Sequence, residues 1–326
     1  MIPTTRRLLL KVAGASAVTW SAASAQSKLD KPVRIVVGYG AGTGLDTVTR
    51  YVAERLGSRL GQSVVVVNAP GADGNIGAVA AVRAAPDMYN LFVAGSSTHA
   101  ANAAIYPKLP FDPAADFAPL SAFGYIPFVL IVNPERSKAR SFGEFIATAR
   151  SAAAPLSFAS TSVGSRIAGE LFKQVATLKA TNIPYKQSGE AMSDFLGGRL
   201  DYYFCDITTA LPVIKSERAV ALAISTKVRS PKLPQVPSLS ELGFPDFDVS
   251  SWGAIWSASA TTPRPVSDVI ARHVTEILAD EKGREFLIEK GYVPAPAGPK
   301  HLAELQIRDT AVFGKVIRDA GMAQQR

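Results

Sequence analysis

The residues with the most chemical potential are glycines and hydroxyls, not acids paired with bases. Gly38-Tyr39-Gly40-Ala41-Gly42-Thr43-Gly44-Leu45-Asp46 lies between a β-branched run, Val33 to Val37, and a helical pattern. Exposed N–H groups and the helix dipole at such a junction favour an anion, and glycines let a ligand approach the backbone closely. No register of this loop gives GxGxxG, and the next strand ends in Asn68, not in an acid able to hold a ribose hydroxyl. The loop reads as an anion pocket, with a purely structural glycine turn as the alternative, and Asp46 as capping or charge-complementing the first helical turn. Ser160-Thr161-Ser162-Val163-Gly164-Ser165-Arg166 repeats this logic further along, with hydroxyls and a glycine before a second helix and Arg166 as an added cation. Ser165 reads as an N-cap, a ligand donor or both. Asp206, after the run Tyr202 to Phe204, reads as a pocket residue or as a cap for the next helix.

Covalent and metal chemistry find little support in the chain. The nearest approach to a nucleophile elbow, Ser160 to Gly164, has serine where GxSxG needs its first glycine. Cys205 is the one cysteine, which excludes a disulfide framework, a CxxC redox site and a multi-cysteine zinc site. Of three histidines, His273 and His301 fall in helical patterns and read as solvent-facing. His99, in Ser96-Ser97-Thr98-His99, follows the third strand and reads either as pocket lining or as a structural hydrogen-bonding group. No HxxxH or HExxH spacing accompanies it, so the expectation is no metal, no cofactor and no catalytic residue.

The elements that must position these loops alternate in the α/β manner. Val33–Val37, Val64–Val67, Leu91–Ala94 and Val129–Val132 read as strands in a mostly parallel sheet, and Val48, Val52, Leu56 and Leu60 place one apolar stripe on a helix of about four turns. A second series follows Pro127, with helices near 141–150 and 165–175 and short strands at 156–159, 182–183 and 202–204. The proline-rich stretch 231–237 marks the return of the chain, and helical patterns from Val266 onward are expected to pack back on the first unit. Tyr39, Phe204 and Trp252 are candidates for an aromatic slot or plain core.

At 326 residues, 47% hydrophobic and 19% charged, the chain is long enough for two modest domains with full cores. Residues 1–25 read as an export signal: Arg6, Arg7 and Lys11, an apolar stretch from Val12 to Trp20, and the small-residue site Ala23-Ser24-Ala25. Paired arginines before leucines also fit the twin-arginine pattern. Removing the signal's three cations takes the formal charge from +8 to +5. The remaining basic residues form no aromatic-rich stripe, so nucleic acid is not an expected partner.

These motifs together resemble the Bug family, the TctC-type extracytoplasmic receptors of tripartite tricarboxylate transporters. The segments that carry the resemblance are PVRIVVGYGAGTGLDTVTR at 32–50, LGQSVVVVNAPGADGNIGA at 60–78, APDMYNL at 85–91, HAANAAIYPKLPFDPAADFAPL at 99–120, IPYKQSGEAMSDFLGGRLDYYFCD at 183–206 and RSPKLPQVPSLSELGFPDF at 229–247. The resemblance implies an α/β two-lobed periplasmic-binding-protein (Venus flytrap) fold with a ligand cleft between the lobes. One lobe would comprise 26–126 and 227–326 and the other 127–226, with hinges near Tyr125–Phe128 and Ala221–Thr226. Contacts to a small organic mono- or dicarboxylate would come from Tyr39, Gly40, Ala41, Gly42, Thr43, Gly44 and Asp46, and from Asn68, Gly71 and Ala72. The third loop would add Ser96, Ser97, Thr98 and His99, and the second lobe Ser160, Thr161, Ser162, Gly164, Ser165, Arg166, Tyr185 and Asp206. The implied protein is a monomeric, non-enzymatic periplasmic receptor serving membrane transporter subunits, with a ligand-presenting sensory receptor as the alternative. Two features depart from the family: glycines and Ala41 stand where prolines usually precede the glycine pair, and the turn at Gly164–Arg166 is about two residues short, with Arg166 near a usual histidine.

Overall fold

A computed structural model describes residues 29–323 apart from 107, 186 and 260, so the export signal read at 1–25 lies outside the described residues. The first half of the chain runs β1 (Val33–Val37), α1 (Gly44–Leu60), β2 (Val64–Asn68), α2 (Asn75–Val82), β3 (Tyr89–Gly95), α3 (Asn102–Ile105) and β4 (Phe117–Val132). It continues through α4 (Pro134–Ser137), α5 (Phe142–Arg150), β5 (Leu156–Ser160), α6 (Val163–Val175), β6 (Ala180–Pro184), α7 (Ser188–Leu196), β7 (Tyr202–Asp206), α8 (Ile207–Lys215) and β8 (Val220–Ile224). The last part supplies β9 (Ser250–Ala258), α9 (Arg264–Ala279), α10 (Glu281–Glu289), β10 (Val293–Ala297) and α11 (Pro299–Asp319).

Sequence periodicity explains the helices directly. Val48, Val52 and Leu56 of α1 are all fully buried, and the helix stops where Gly61 takes a left-handed φ of 62°. The strand reading needed correction in two places. Val129–Val132 is only the end of β4, a sixteen-residue strand interrupted in sequence by Pro119, Gly124 and Pro127. The expectation of mostly parallel pairing holds for β2-β1-β3 and for β6-β5-β7, but β9, β10 and β8 pair antiparallel with their neighbours. For β9 the cause is the returning chain, which inserts it between β3 and β4.

β4 joins the two lobes. Its first part, through Pro127, pairs with β9 and β10, and Phe128 onward pairs with β7 and β8. Val33, Val48, Leu91 and Ile255 pack together in the first lobe and Val129, Phe195, Tyr203 and Ile207 in the second, while a third cluster, including Phe92, Trp252, Phe128, Phe158 and Tyr202, runs across both sheets. The segment read as the start of the returning lobe stays with the second sheet: Leu233 and Val236 pack with Phe195 and Tyr203, and the chain rejoins the first sheet only at Ser250. As expected, α9 packs on α1 and β4, while α11 packs on β4 and also reaches α6 across the divide. Phe204 and Trp252 are wholly buried, with Trp252 Nε1 donating to Asp309 at 2.8 Å, so of the proposed aromatic slot only Tyr39 faces open space.

Candidate functional site

Helices α1, α6 and α8 each follow a strand and are capped in the same way. Thr43, Ser162 and Asp206 adopt extended backbone angles, and their side chains accept the N–H of Asp46, Ser165 and Thr209, three residues on. Each cap therefore leaves the first two amides of its helix (Gly44 and Leu45, Val163 and Gly164, Ile207 and Thr208) without an acceptor inside the helix. Thr43, Ser162 and Asp206 all line one cleft between the two sheets.

The cleft has two adjoining chambers that share Tyr39, Thr43, Phe128, Ser162 and Asp206. The first, of 540 Å³, is walled by Gly38, Gly40, Pro70, Gly71, Asp73 and Gly74 on one side and by Thr161, Ser165 and Ser188 on the other, with Ser97 between. The second, of 270 Å³, adds Gly44, Leu45, Ile126, Ile207, Thr208, Thr209, Ser251, Lys290, Gly291 and Tyr292. Lys290 is the one cation among the described lining residues. Burial pushes the Tyr39 hydroxyl above its ordinary pKa, which keeps it a neutral donor.

On the first-lobe side, backbone geometry shapes the wall. Gly71, Ala72, Asp73 and Gly74 take φ of 128°, 47°, 52° and 91°, a left-handed turn whose Asp73 carbonyl accepts from Thr98 Oγ1 at 3.0 Å and Asn102 Nδ2 at 3.2 Å. A Cβ on Gly74 would stand 2.4 Å from Thr98 Oγ1, and one on Gly77 only 2.7 Å from the Gly38 Cα. The first two loops are thus locked by direct backbone contact. On the second-lobe side, side chains do the shaping. Ser165 Oγ accepts the amides of Thr161 and Ser162 at 3.0 and 3.2 Å, and Thr161 Oγ1 pairs with the Tyr203 hydroxyl at 3.0 Å.

Of the residues read from sequence, Tyr39, Gly40, Thr43, Gly44, Gly71, Ser97, Thr161, Ser162, Ser165 and Asp206 come together as walls of this cleft. Asp206 is both cap and lining, which unites the two readings. Asp46 and Asn68 stand behind the loop instead. Asp46 accepts Gly42 N–H at 2.8 Å, Arg50 Nε at 3.1 Å and Asn68 Nδ2 at 2.8 Å, and Asn68 Nδ2 also reaches the Tyr39 carbonyl at 3.1 Å. Burial alone would raise the Asp46 pKa, but these donors outweigh it and hold the carboxyl below its usual range.

The remaining assignments lie away from the chamber walls. Ala41 and Ala72 are exposed loop residues, and Gly42 is turned to Asp46. Buried Ser96 bonds to Ser251, and Thr98 is engaged with Asp73. His99 is neither pocket lining nor a hydrogen-bonding group: its ring stacks on Trp256 at 4.0 Å with both nitrogens buried and unpartnered. Burial lowers its pKa to about 3. His273, read as solvent-facing, is half-buried, while His301 is exposed as expected. Ser160 ends β5 and accepts the Tyr185 amide at 2.8 Å, and Gly164 gives space to Phe128, whose ring a Cβ would meet at 2.8 Å. Arg166 sits one turn into α6, with its Nε buried. Tyr185 donates to Asp194 at 2.9 Å beside a separate surface hollow.

Sequence reasoning missed Asp73, Ile126, Phe128, Ser188, Thr208, Lys290 and Tyr292. The glycine-flanked turn Gly71-Ala72-Asp73-Gly74 was visible in the sequence. The approach of Lys290–Tyr292 to α8 depends on tertiary packing and left no local trace.

The model of the "Tripartite tricarboxylate transporter family receptor" matches residues 48–322. BugT of Bordetella pertussis is 33% identical over 302 residues, 91% of this chain and 92% of that protein. The Agrobacterium vitis protein of the TAR-I ttuE-ttuC' intergenic region is 33% identical over 97% of this chain and 92% of its own length. Among solved structures, an R. palustris protein with adipate has a TM-score of 0.78 at 27% identity, covering 90% of this chain and 98% of that one. MatC from Rhodopseudomonas palustris with bound malate has a TM-score of 0.71 at 27% identity, covering 88% and 99%.

Proposed function

The chain belongs to the tripartite tricarboxylate transporter receptor family, and from that membership we propose that it is a periplasmic receptor that captures a small organic carboxylate and delivers it to membrane transporter subunits. The observation that carries the reading is the arrival of α1 and α6 from opposite lobes with their capped N-termini open to one cleft. Unpaired first-turn amides and two helix dipoles there offer an anion donors without a fixed arginine. Asp206 already neutralises the start of α8, so the carboxylate belongs between Thr43–Leu45 and Ser162–Gly164, with Tyr39, Ser97 and Thr161 as added hydroxyl donors.

Such a ligand contacts both lobes only when they close on it, which shifts an open–closed equilibrium by its differential affinity. Transport then follows if the membrane subunits recognise the closed form. Relatives solved with adipate and malate supply the first probes. In a thermal-shift panel of aliphatic and aromatic carboxylates, a ligand at 100 times its Kd stabilises the fold by about 2.7 kcal/mol. A panel that leaves the melting temperature unmoved throughout would refute the reading.

A further inference from the structure

The second chamber has a different character from the first. Its walls include three aromatic rings, Tyr39, Phe128 and Tyr292, and three aliphatic side chains, Leu45, Ile126 and Ile207. Leu45 and Ile126 are only half-buried, so they present apolar surface to the cleft. Two polar groups stand among these walls. Tyr292 is 1% exposed, and its hydroxyl is buried with no hydrogen-bond partner among the described residues. Lys290, two residues earlier, carries the ammonium, held 2.7 Å from Glu289. A buried donor left unpaired is costly, and a site built with one favours a ligand that supplies the missing acceptor.

We infer that the ligand is an aromatic carboxylate bearing a second oxygen function across the ring. This rests on the receptor reading above. The carboxylate takes the helix termini at Thr43 and Ser162, where the two chambers meet, the ring lies between Leu45, Ile126, Phe128 and Ile207, and the distal oxygen accepts from Tyr292 Oη and the Lys290 ammonium. Size agrees: an apolar cavity of about 150 Å³ holds a benzene ring, and this chamber measures 270 Å³. A short dicarboxylate such as malate would leave the apolar walls uncovered and the Tyr292 hydroxyl unpaired.

Calorimetric titration of the full-length mature chain with 4-hydroxybenzoate, terephthalate, benzoate, adipate and malate tests this. The ring acids with a distal oxygen should bind at least tenfold more tightly than benzoate, and benzoate more tightly than malate. Tyr292→Phe should remove about tenfold from 4-hydroxybenzoate while leaving benzoate unchanged, and the unchanged benzoate affinity shows that the variant is folded. Adipate or malate binding as tightly as the ring acids would overturn the inference and leave the receptor reading standing. Equal loss of both ring ligands in Tyr292→Phe would overturn the role of its hydroxyl. Absence of binding by all five acids would overturn both readings.

Discussion

The two sides of the cleft reach similar ends by different means. On the first-lobe side, Gly38, Gly74 and Gly77 bring backbones into direct contact, and a four-residue left-handed turn presents the wall. On the second-lobe side, a capping box between Ser162 and Ser165 orders the chain through hydroxyls, and a tyrosine braces Thr161. The first edge is held by what is missing, a Cβ at each close approach. The second is held by side-chain hydrogen bonds that water can partly replace. Rigidity on the first side should therefore be brittle to small substitutions, and on the second side graded.

The sharpest break of this contrast is Gly74→Ala. It combines a φ of 91° with a Cβ 2.4 Å from Thr98 Oγ1, and it should lower stability by about 3 kcal/mol in denaturant unfolding. Next comes acid. His99 stacks on Trp256 in the first-lobe core, and its folded pKa of about 3 lies below its ordinary 6.5. The unfolded chain binds this proton first, so the stability His99 contributes is complete above pH 6.5 and is lost as pH falls toward 3. Between pH 6.5 and 5 that loss is about 2 kcal/mol. A His99→Phe variant should lack this share of the pH dependence, and identical pH slopes in the two proteins would contradict the account. The smallest effect is expected on the other side. Ser165→Ala strips acceptors from two partly solvated amides and should cost about 1 kcal/mol. If it proves as damaging as Gly74→Ala, the contrast between the edges fails.

How far the sequence could be read depended on whether a feature is local. The unit β1-loop-α1 was legible because Val48, Val52 and Leu56 repeat at helical spacing and Thr43 precedes them as a cap. The hydroxyl run at Ser160–Ser165 likewise announced a helix start, although Ser162 takes the cap and Ser165 answers it three residues on. β4 was only partly legible because Pro119, Gly124 and Pro127 look like breaks, yet its register shifts by β9 absorb the first two. Asp46 and Asn68 were drawn to the loop by position, and in the structure they brace it from behind. Their bond to each other joins residues 22 positions apart, and nothing in the local pattern shows that. Lys290 and Tyr292 were out of reach for the same reason.

One serine beside β4 ties the crossing strands together. At Phe128 the amide donates to Ser225 Oγ at 2.8 Å, the carbonyl accepts the Ser225 N–H at 2.9 Å, and Ser225 Oγ in turn donates to the Val249 carbonyl at 2.5 Å. One serine thus pins the outgoing and incoming strands to each other at the floor of the cleft. A body pinned at its floor pivots like a pair of tongs, with the jaws travelling furthest and the rivet hardly at all. In the lobe closure proposed above, Phe128 would sit at that rivet and its ring would stay in place while the rest of the cavity closed around it. Gly291 and the Thr208 methyl, which a Cβ on Gly291 would approach to 2.9 Å, lie beside the same rivet, because Asp206 pairs with Phe128 and Val293 with Tyr125, so their contact would be among the last to part.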